Sequence, residues 1–551
     1  MIKISSLPQY HRNAKRFTEI VAILLKYGLA NWLKGSDPEF YKRFFSSRQG
    51  ESLAGLDFAT RLRMALTEMG TTFIKLGQVL STRDDLVSPE LARELRKLQS
   101  DTPPDSPSEV RAIIEAELGQ SPEELFVDFD PQAQGSASIG QVHTARLAEG
   151  GVVVKVQHPG IAEKVITDLD ILAALAALAE KYDPVMRLYQ PRVLVAEFRR
   201  TLLQELDFRQ EARHLRRFIL NFAGNDTIKI PWPHPELSAA RVMTMERLRG
   251  VSIGDAESLR RMGLDTAELT RRGADIYLEM IFEHGFYHAD PHPGNIWVLG
   301  GGRIGLLDCG MVGRVDQRTR DQIESILLAA VDNDAHRLTD ILLRLATAPP
   351  ELDRRALEAE VDQFMSDYLS ESLNDMNLSE LLGSLTAMIR NHHIILPANI
   401  ALLIKTLVML EGTSRQLSRD FNLLELVEPY LRQSLRRRWS PAGVLGRMRR
   451  SYQQWERLLE ALPGDLGEII GRVKEGGLQV NLRHRGLDRP VNRLVHGILT
   501  AALFVGSCLL LAAAVPPRIW GMSVPGLAGG GLALGLAWRL LRALKRSGGL
   551  D

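Results

Sequence analysis

Twenty-four consecutive residues, Leu494 to Pro517, carry no charged side chain. A helix needs about 20 apolar residues to cross bilayer hydrocarbon, so this run restricts what the C-terminal part can fold into. After one interruption at Arg518, Ile519 to Trp538 is a second uncharged stretch, rich in glycine. Its Gly526/Gly530 and Gly531/Gly535 pairs repeat the small-xxx-small spacing that lets helices approach closely. The expectation is a hairpin of two transmembrane helices; a buried soluble hairpin is the alternative. Arg483, Arg485, Arg489 and Arg493 precede the pair, and Arg539, Arg542, Lys545 and Arg546 follow it. Basic flanks favour the cytoplasmic side, so a multi-pass protein of the inner membrane with its soluble part facing the cytoplasm is expected.

The remaining composition is ordinary. With 68 Lys+Arg against 67 Asp+Glu, the net charge of +1 gives no global reason to expect a nucleic-acid partner. Two cysteines cannot build a disulfide framework, and the pair suits a reducing compartment. Met1 to Arg16 lacks the apolar core and cleavage site of a secretory signal. Behind Lys3, Arg12, Lys15 and Arg16, the residues Phe17, Ile20, Val21, Leu24 and Leu25 recur at helical spacing. Such a helix can rest on a membrane surface or pack on the protein. Seven arginines and no acidic residue lie between Arg432 and Arg450, a charge run whose position ahead of the apolar stretch points to anionic lipid headgroups.

The centre of the chain carries the chemistry. His288-Ala-Asp-Pro-His-Pro-Gly-Asn295 is read as the end of a helix, followed by two short apolar strands, Ile296 to Leu299 and Ile304 to Leu307. Closing that hairpin brings Asn295 beside Asp308, so Asp290, Asn295 and Asp308 present three oxygen donors of the kind Mg²⁺ prefers when phosphate and water complete its shell. Asp-x4-Asn followed after a hairpin by Asp-x-Gly is the metal and base layout of protein kinases. Upstream, Val152-Val-Val-Lys-Val-Gln157 alternates as a strand and points Lys155 to the face of Val153 and Gln157. The small-residue loop Gly135-Ser-Ala-Ser-Ile-Gly140 lies just before it, and backbone N–H groups in such a loop can approach phosphate. A lysine at an apolar strand centre needs a carboxylate, and Leu203 to Glu211 offers several. His288 and His292 could join Asp290 as metal ligands. Structural hydrogen bonds are the favoured reading, with His288 bracing the loop, because so short a proline-broken segment converges poorly on one ion.

In these motifs the chain resembles the ADCK/UbiB family of atypical kinase-like proteins. The resemblance rests on Lys75-Leu-Gly-Gln78, Gly135 to His143, Val152 to Lys155, Glu205-Leu-Asp207 with Glu211, His288 to Asn295, and Leu307-Asp-Cys-Gly-Met311. It implies an α+β, helix-rich, two-lobed protein-kinase-like fold with an N-terminal helical extension and the C-terminal hairpin. The implied segments are 1–54 (amphipathic), 55–120 (extension), 121–248 (sheet lobe), 249–430 (helical lobe), 431–493 (basic), 494–538 (hairpin) and 539–551 (tail). It further implies that Lys155 holds the nucleotide phosphates and pairs with Glu211, that Asp290 takes the catalytic-base position, and that Asn295 and Asp308 hold Mg²⁺. The loop of Gly135, Ser136, Ala137, Ser138, Ile139 and Gly140 would cover ATP or ADP, and hinge residues Met245, Glu246 and Leu248 would bond adenine. Lys75 would pair with Glu205 and Gln78 would face the nucleotide pocket, with Asp207 completing the regulatory acidic motif.

A cover of that kind obstructs a protein substrate, so the resemblance implies ATP hydrolysis or phosphorylation of a small or lipid-like molecule, in ubiquinone biosynthesis. Implied partners are anionic membrane lipids, polyprenyl-phenol or quinone intermediates, and ubiquinone-biosynthesis enzymes. A kinase with a true acceptor and a nucleotide-switched scaffold are the competing functions. Two departures stand out: Gly135-Ser136 replaces the usual alanines, putting nucleotide preference in question, and Cys309 replaces the usual phenylalanine.

Overall fold

The computed structural model describes residues 14–29, 56–98, 102–349, 351–369, 377–427, 429–430, 488–513, 515–519 and 522–545. The arginine run of 432–450, the flanks Arg483 and Arg485, and Arg546 lie outside these residues. The chain divides into two compact units, Met1–Val444 and Leu445–Asp551.

In the first unit, helices α1 (Ala14–Lys26), α2 (Phe58–Met69), α3 (Thr71–Leu80) and α4 (Pro89–Leu95) form the extension. The two readings of the amphipathic N-terminal helix are separated here. Phe17, Ile20 and Val21 are buried in a core shared with Leu66, Met69, Phe73 and Leu95, and Leu24 and Leu25 pack at its edge. Arg16 clasps the fully buried Asp168 carboxylate at 2.7 and 3.2 Å. Moving α1 to lipid would forfeit about 2 kcal/mol for each large apolar residue and strand that carboxylate, so α1 belongs to the protein. Gly77, within the Lys-Leu-Gly-Gln motif, is where α3 meets its neighbours: a Cβ there would stand 2.3 Å from the Leu98 side chain.

Asp101 to Pro107 breaks the helical pattern, and Ser106 caps α5 (Pro107–Leu118) in a capping box with Glu109. This helix packs Val110, Ile113 and Ile114 on the sheet, against Val152, Val154 and Val156, rather than on the extension. The antiparallel sheet runs β1-β3-β4-β6, with β2 hydrogen-bonded to β3. Its strands are β1 (Asp128–Phe129), β2 (Gly135–Ser136), β3 (Gly140–Leu147), β4 (Gly150–Gln157) and β6 (Val242–Glu246). Leu125 closes a short helix, Pro122–Leu125, begun by Ser121 and Pro122. In β4 the alternation sends Val152, Val154 and Val156 towards α5 and leaves Val153 and Lys155 to the other face.

Helices α6 (Ile161–Tyr182), α7 (Pro191–Glu205) and α8 (Phe208–Asn221) follow, the first break falling at Asp183-Pro184. A second sheet, ordered β5-β10-β9-β7, combines β5 (Ile228–Lys229), β7 (Gly250–Ser252), β9 (Ile296–Leu299) and β10 (Ile304–Leu306). Between β7 and β9, α9 (Thr266–Leu278) passes into a π-helical turn, Glu279–His284, and then β8 (Phe286–His288). His288 therefore ends a strand, not a helix; Gly285, at φ +60°, stops the helical path. β8 pairs with β11 (Val312–Arg314), and β9 pairs with β10 in the expected hairpin. The two ladders frame two loops, one holding Asp290 and Asn295, the other Asp308. The rest of this unit is helical, including α10 (Leu378–Asn391) and α11 (Ala398–Leu417).

The second unit contains α12 (Asp488–Ala512) and α13 (Val524–Lys545), joined through a small hairpin of Arg518–Ile519 with Met522–Ser523. A Cβ at Gly529 would lie 2.4 Å from Ser507 Oγ, and one at Gly526 would lie 2.7 Å from Leu511, so these glycines set the close approach. Gly531 and Gly535 face nothing within 4 Å, and the expected second glycine pair makes no helix contact. Only Val495–Ala512 is long and apolar enough to cross a membrane by length and composition among the described residues. The expected second span is shortened because its first residues turn as a hairpin. Val524 to Trp538, the stretch before Arg539, covers about 22 Å as a helix, short of a hydrocarbon thickness of about 30 Å. A two-span hairpin, and with it the multi-pass topology, is therefore not what the structure shows.

Candidate active site

Lys155 points from β4 towards α8, where its ammonium lies 2.5 Å from Glu211 Oε1 and 3.6 Å from Asp308 Oδ2. Lys155 and Glu211 are mostly buried, whereas the Asp308 side chain is 54 % exposed. Burial alone would lower the lysine pKa, but the charges of Asp308 and Glu211 outweigh it and keep the ammonium protonated. Burial pushes Glu211 up to about 7 against the pull of Lys155. Lys155 draws Asp308 down to about 2, with burial opposing. The outcome is a fixed cation beside an ionised, solvent-facing carboxylate.

Asn295 donates from Nδ2 to Asp290 Oδ2 at 2.9 Å, which orients the amide and leaves Asn295 Oδ1 as its acceptor. That oxygen and the Asp308 carboxylate are hard donors of the type Mg²⁺ takes, so the residues fit the ion, with phosphate and water needed to complete six-coordination. Among the described residues no group of three His, Cys, Asp or Glu could hold a metal, which leaves the histidine-based alternative without a ligand set. His288 is fully buried: its Nε2 bonds the Asp308 carbonyl, while Nδ1 receives the Asp290 N–H at 3.3 Å and lies 3.2 Å from Tyr277 Oη. One neutral ring thus ties the two loops together, and burial lowers its pKa accordingly. His292 Nδ1 accepts from Gly294 N–H at 3.1 Å and starts the 3₁₀ turn that carries Asn295.

From the extension, Lys75 meets Glu205 at 3.0 Å. Burial lowers its pKa, but Glu205 first, then Asp308 and Asp290, produce a net rise, so α3 holds a cation within electrostatic range of both loop aspartates. The Gln78 amide nitrogen donates to the Leu98 carbonyl at 3.1 Å, a bond made within the extension. Asp207 caps α8 and chelates the Arg209 guanidinium at 2.8 and 3.1 Å, a local duty set by its place one residue before the helix.

The phosphate-loop reading changes in detail. Gly135 and Ser136 form β2, so the tip of the hairpin is Ala137 to Ile139, closed by Ala137 N–H to Gly140 O at 2.9 Å. Ile139 is buried in the main core and Ser138 is also buried, because the tip folds back on the protein. His158 holds it there, with Nε2 2.8 Å from Ala137 O and Nδ1 2.6 Å from Asp105 Oδ2. Two glycines differ sharply. A Cβ at Gly140 would stand 2.4 Å from Val156 O, whereas one at Gly135 meets nothing within 4 Å. Gly140→Ala is accordingly expected to cost about 1–3 kcal/mol by overpacking against backbone, while Gly135→Ala folds as the parent does. Urea unfolding of the two variants checks this, and equal midpoints would refute it.

Of the hinge residues, Glu246 is turned to other work. Its N–H donates to Trp232 O at 2.8 Å and its carboxylate pairs with Lys229 at 2.8 Å. Met245 and Leu248 are buried in the strand and the linker after it. A contact that the sequence reading missed comes from α8. His214 Nδ1 lies 3.0 Å from Cys309 O, so the helix that carries Glu211 also reaches the Asp308 loop. Cys309 itself is fully buried, and burial pushes its thiol up, which makes it an inert core side chain.

Three family models match the chain. They are the ABC1 atypical kinase-like domain over residues 97–342, the UbiB helical domain over 361–422, and the ABC1/UbiB kinase-like C-terminal domain over 481–546. A Xanthomonas campestris protein named "Probable protein kinase UbiB" is 32% identical over 524 residues, covering 91% of this chain and 93% of the relative. A Clostridium pasteurianum protein, "Uncharacterized protein in hydrogenase 1 5'region", is 28% identical over 498 residues, covering 89% of this chain and 93% of the relative. A solved Mycobacterium tuberculosis protein in complex with erythromycin is 24% identical, with 67% of this chain and 94% of that chain covered and a TM-score of 0.46.

Proposed function

The chain belongs to the ABC1/UbiB family of atypical kinase-like proteins, and on that premise we propose that it is a membrane-bound, Mg²⁺-dependent ATPase acting in ubiquinone biosynthesis. The single observation that carries the reading is the Lys155–Glu211 pair meeting Asp308 beside Asn295 and Asp290. In it, Lys155 binds nucleotide phosphate and Asn295 Oδ1 and Asp308 hold the metal. Bound Mg²⁺ supplies the charge that offsets the phosphates. Asp290 orients the attacking hydroxyl or water and takes its proton. The Lys75 helix supports hydrolysis over protein phosphorylation, because it brings a further cation within electrostatic range of the two aspartates.

Lipid supplies the reason for attachment. The exposed apolar side chains Ile498, Leu499, Val505 and Leu509 on α12 fit bilayer contact, and polyprenyl-phenol intermediates reside there. ATP turnover would be coupled to presenting such a lipid to soluble biosynthetic enzymes. Two measurements test the proposal: phosphate release by the full chain, stimulated by anionic lipid or a phenolic quinone precursor, and quinone profiling of a deletion strain, expected to accumulate an early prenylphenol. Normal quinone levels would overturn the pathway assignment. Labelled phosphate on a defined acceptor, absent with Asp290→Asn, would convert the reading to a kinase. Complementation by Lys155→Ala and Asp308→Asn variants would convert it to a nucleotide-switched scaffold.

A further inference from the structure

α11 crosses behind the loop that carries Asp290 and is fastened to it at two points. The hydroxyl of the fully buried Thr406 lies 3.3 Å from the Ala289 carbonyl, and Thr413 Oγ1 lies 3.1 Å from that of Pro291. The carbonyls on either side of Asp290 are thus both held by this helix. Lys405, beside the first fastening, is half-buried, and Asp290, Lys75 and His288 all lie within its electrostatic range. It has no hydrogen bond or ion pair among the described residues. Lys75 has Glu205 and Lys155 has Glu211, so Lys405 is the cation of this neighbourhood that lacks a carboxylate at contact distance.

A half-buried ammonium without a partner is unfavourable unless an anion arrives to meet it. We propose that Lys405 binds the terminal phosphate of a nucleoside triphosphate, and so makes the site prefer triphosphate to diphosphate. Its position suits that role, because α11 is anchored at Ala289 and Pro291, and Asp290, where the terminal phosphate meets its acceptor, sits between those anchors. Lys155 reaches the phosphates from the sheet side; Lys405 reaches them from the helical side. Burial pulls the Lys405 pKa below the ordinary lysine range, with Asp290 opposing and Lys75 reinforcing the fall. The inference rests on the nucleotide site described above, and its test separates the two.

Binding of Mg²⁺–AMP-PNP and Mg²⁺–ADP to the full chain in detergent micelles is measured by calorimetry for the parent, Lys405→Ala, Lys405→Arg and Lys155→Ala. Lys405→Ala should lose about tenfold or more in affinity for AMP-PNP while ADP stays within about twofold, as expected for one lost charge-assisted hydrogen bond. Lys405→Arg should restore most of the preference, an outcome that a purely structural role would not give. An equal loss for both nucleotides, or no loss for either, overturns the proposal. Parent protein that binds neither nucleotide, or Lys155→Ala that binds both as the parent does, overturns the site itself. If Lys405→Ala does not fold, Lys405→Gln replaces it in the same comparison, with the same outcomes decisive.

Discussion

Asp308→Asn is expected to lower Mg²⁺-dependent phosphate release from ATP by at least about 100-fold, the scale on which preorganised charge at a transferring phosphoryl group acts. The substitution keeps shape and removes charge from a side chain whose carboxylate faces solvent 3.6 Å from the Lys155 ammonium. The same variant has a pH signature. Lys155 holds the Asp308 pKa at about 2, below the unfolded carboxylate value of about 4. A depressed carboxylate contributes stability above its unfolded pKa and loses it as pH falls through the folded one. The gap in melting temperature between the parent and Asp308→Asn should accordingly be widest above pH ~5 and shrink towards pH ~2. Unchanged ATP turnover would remove Asp308 from the metal site, and a pH-independent gap would remove the Lys155 attraction.

The second large effect belongs to the extension. Arg83 and Asp85 form a bidentate pair at 2.8 and 2.7 Å with almost no exposure of the aspartate. Both partners continue to residues more than 300 positions away, Arg83 Nη2 to Leu396 O at 3.1 Å and the Leu396 N–H to Asp85 Oδ2 at 3.2 Å. Arg390 adds a bond to Asp84 O at 2.7 Å. Between them these groups clamp the segment after α3 to the turn between α10 and α11. Asp85→Ala leaves the buried Arg83 guanidinium with Glu197, at 3.9 Å, as its remaining carboxylate and should cost about 3 kcal/mol. Hydrogen exchange should then rise first in residues 71–98 and 390–396, with β3 and β4 still protected. Parental unfolding midpoints and exchange in those segments would show that the clamp contributes nothing.

Much of the site was legible because short-range rules generate it. The alternation of Val152 to Gln157 decides which way Lys155 points, and Asp-x4-Asn before a glycine-turned hairpin decides that Asn295 and Asp308 lie close. The π-helical turn was not legible, since Glu279 to His284 continues a helical apolar pattern until Gly285 ends it. Ile139 read as part of a small-residue loop because nothing nearby in the chain reveals the core that takes its side chain. The Arg83–Asp85 clamp and Lys405 were invisible for a related reason: their surroundings are set by elements far away in the chain. On the apolar C-terminal runs, counting uncharged residues gave length without direction, and the turn at Arg518 to Ser523 used up what a second crossing needed.

The place of α8 between Lys155 and the Cys309 carbonyl has a mechanical consequence. Glu211 meets Lys155 and His214 lies against the Cys309 carbonyl, so one helix touches both the strand lysine and the loop after Asp308. A displacement of α8 therefore reaches the Lys155 side chain and the Asp308 loop at once.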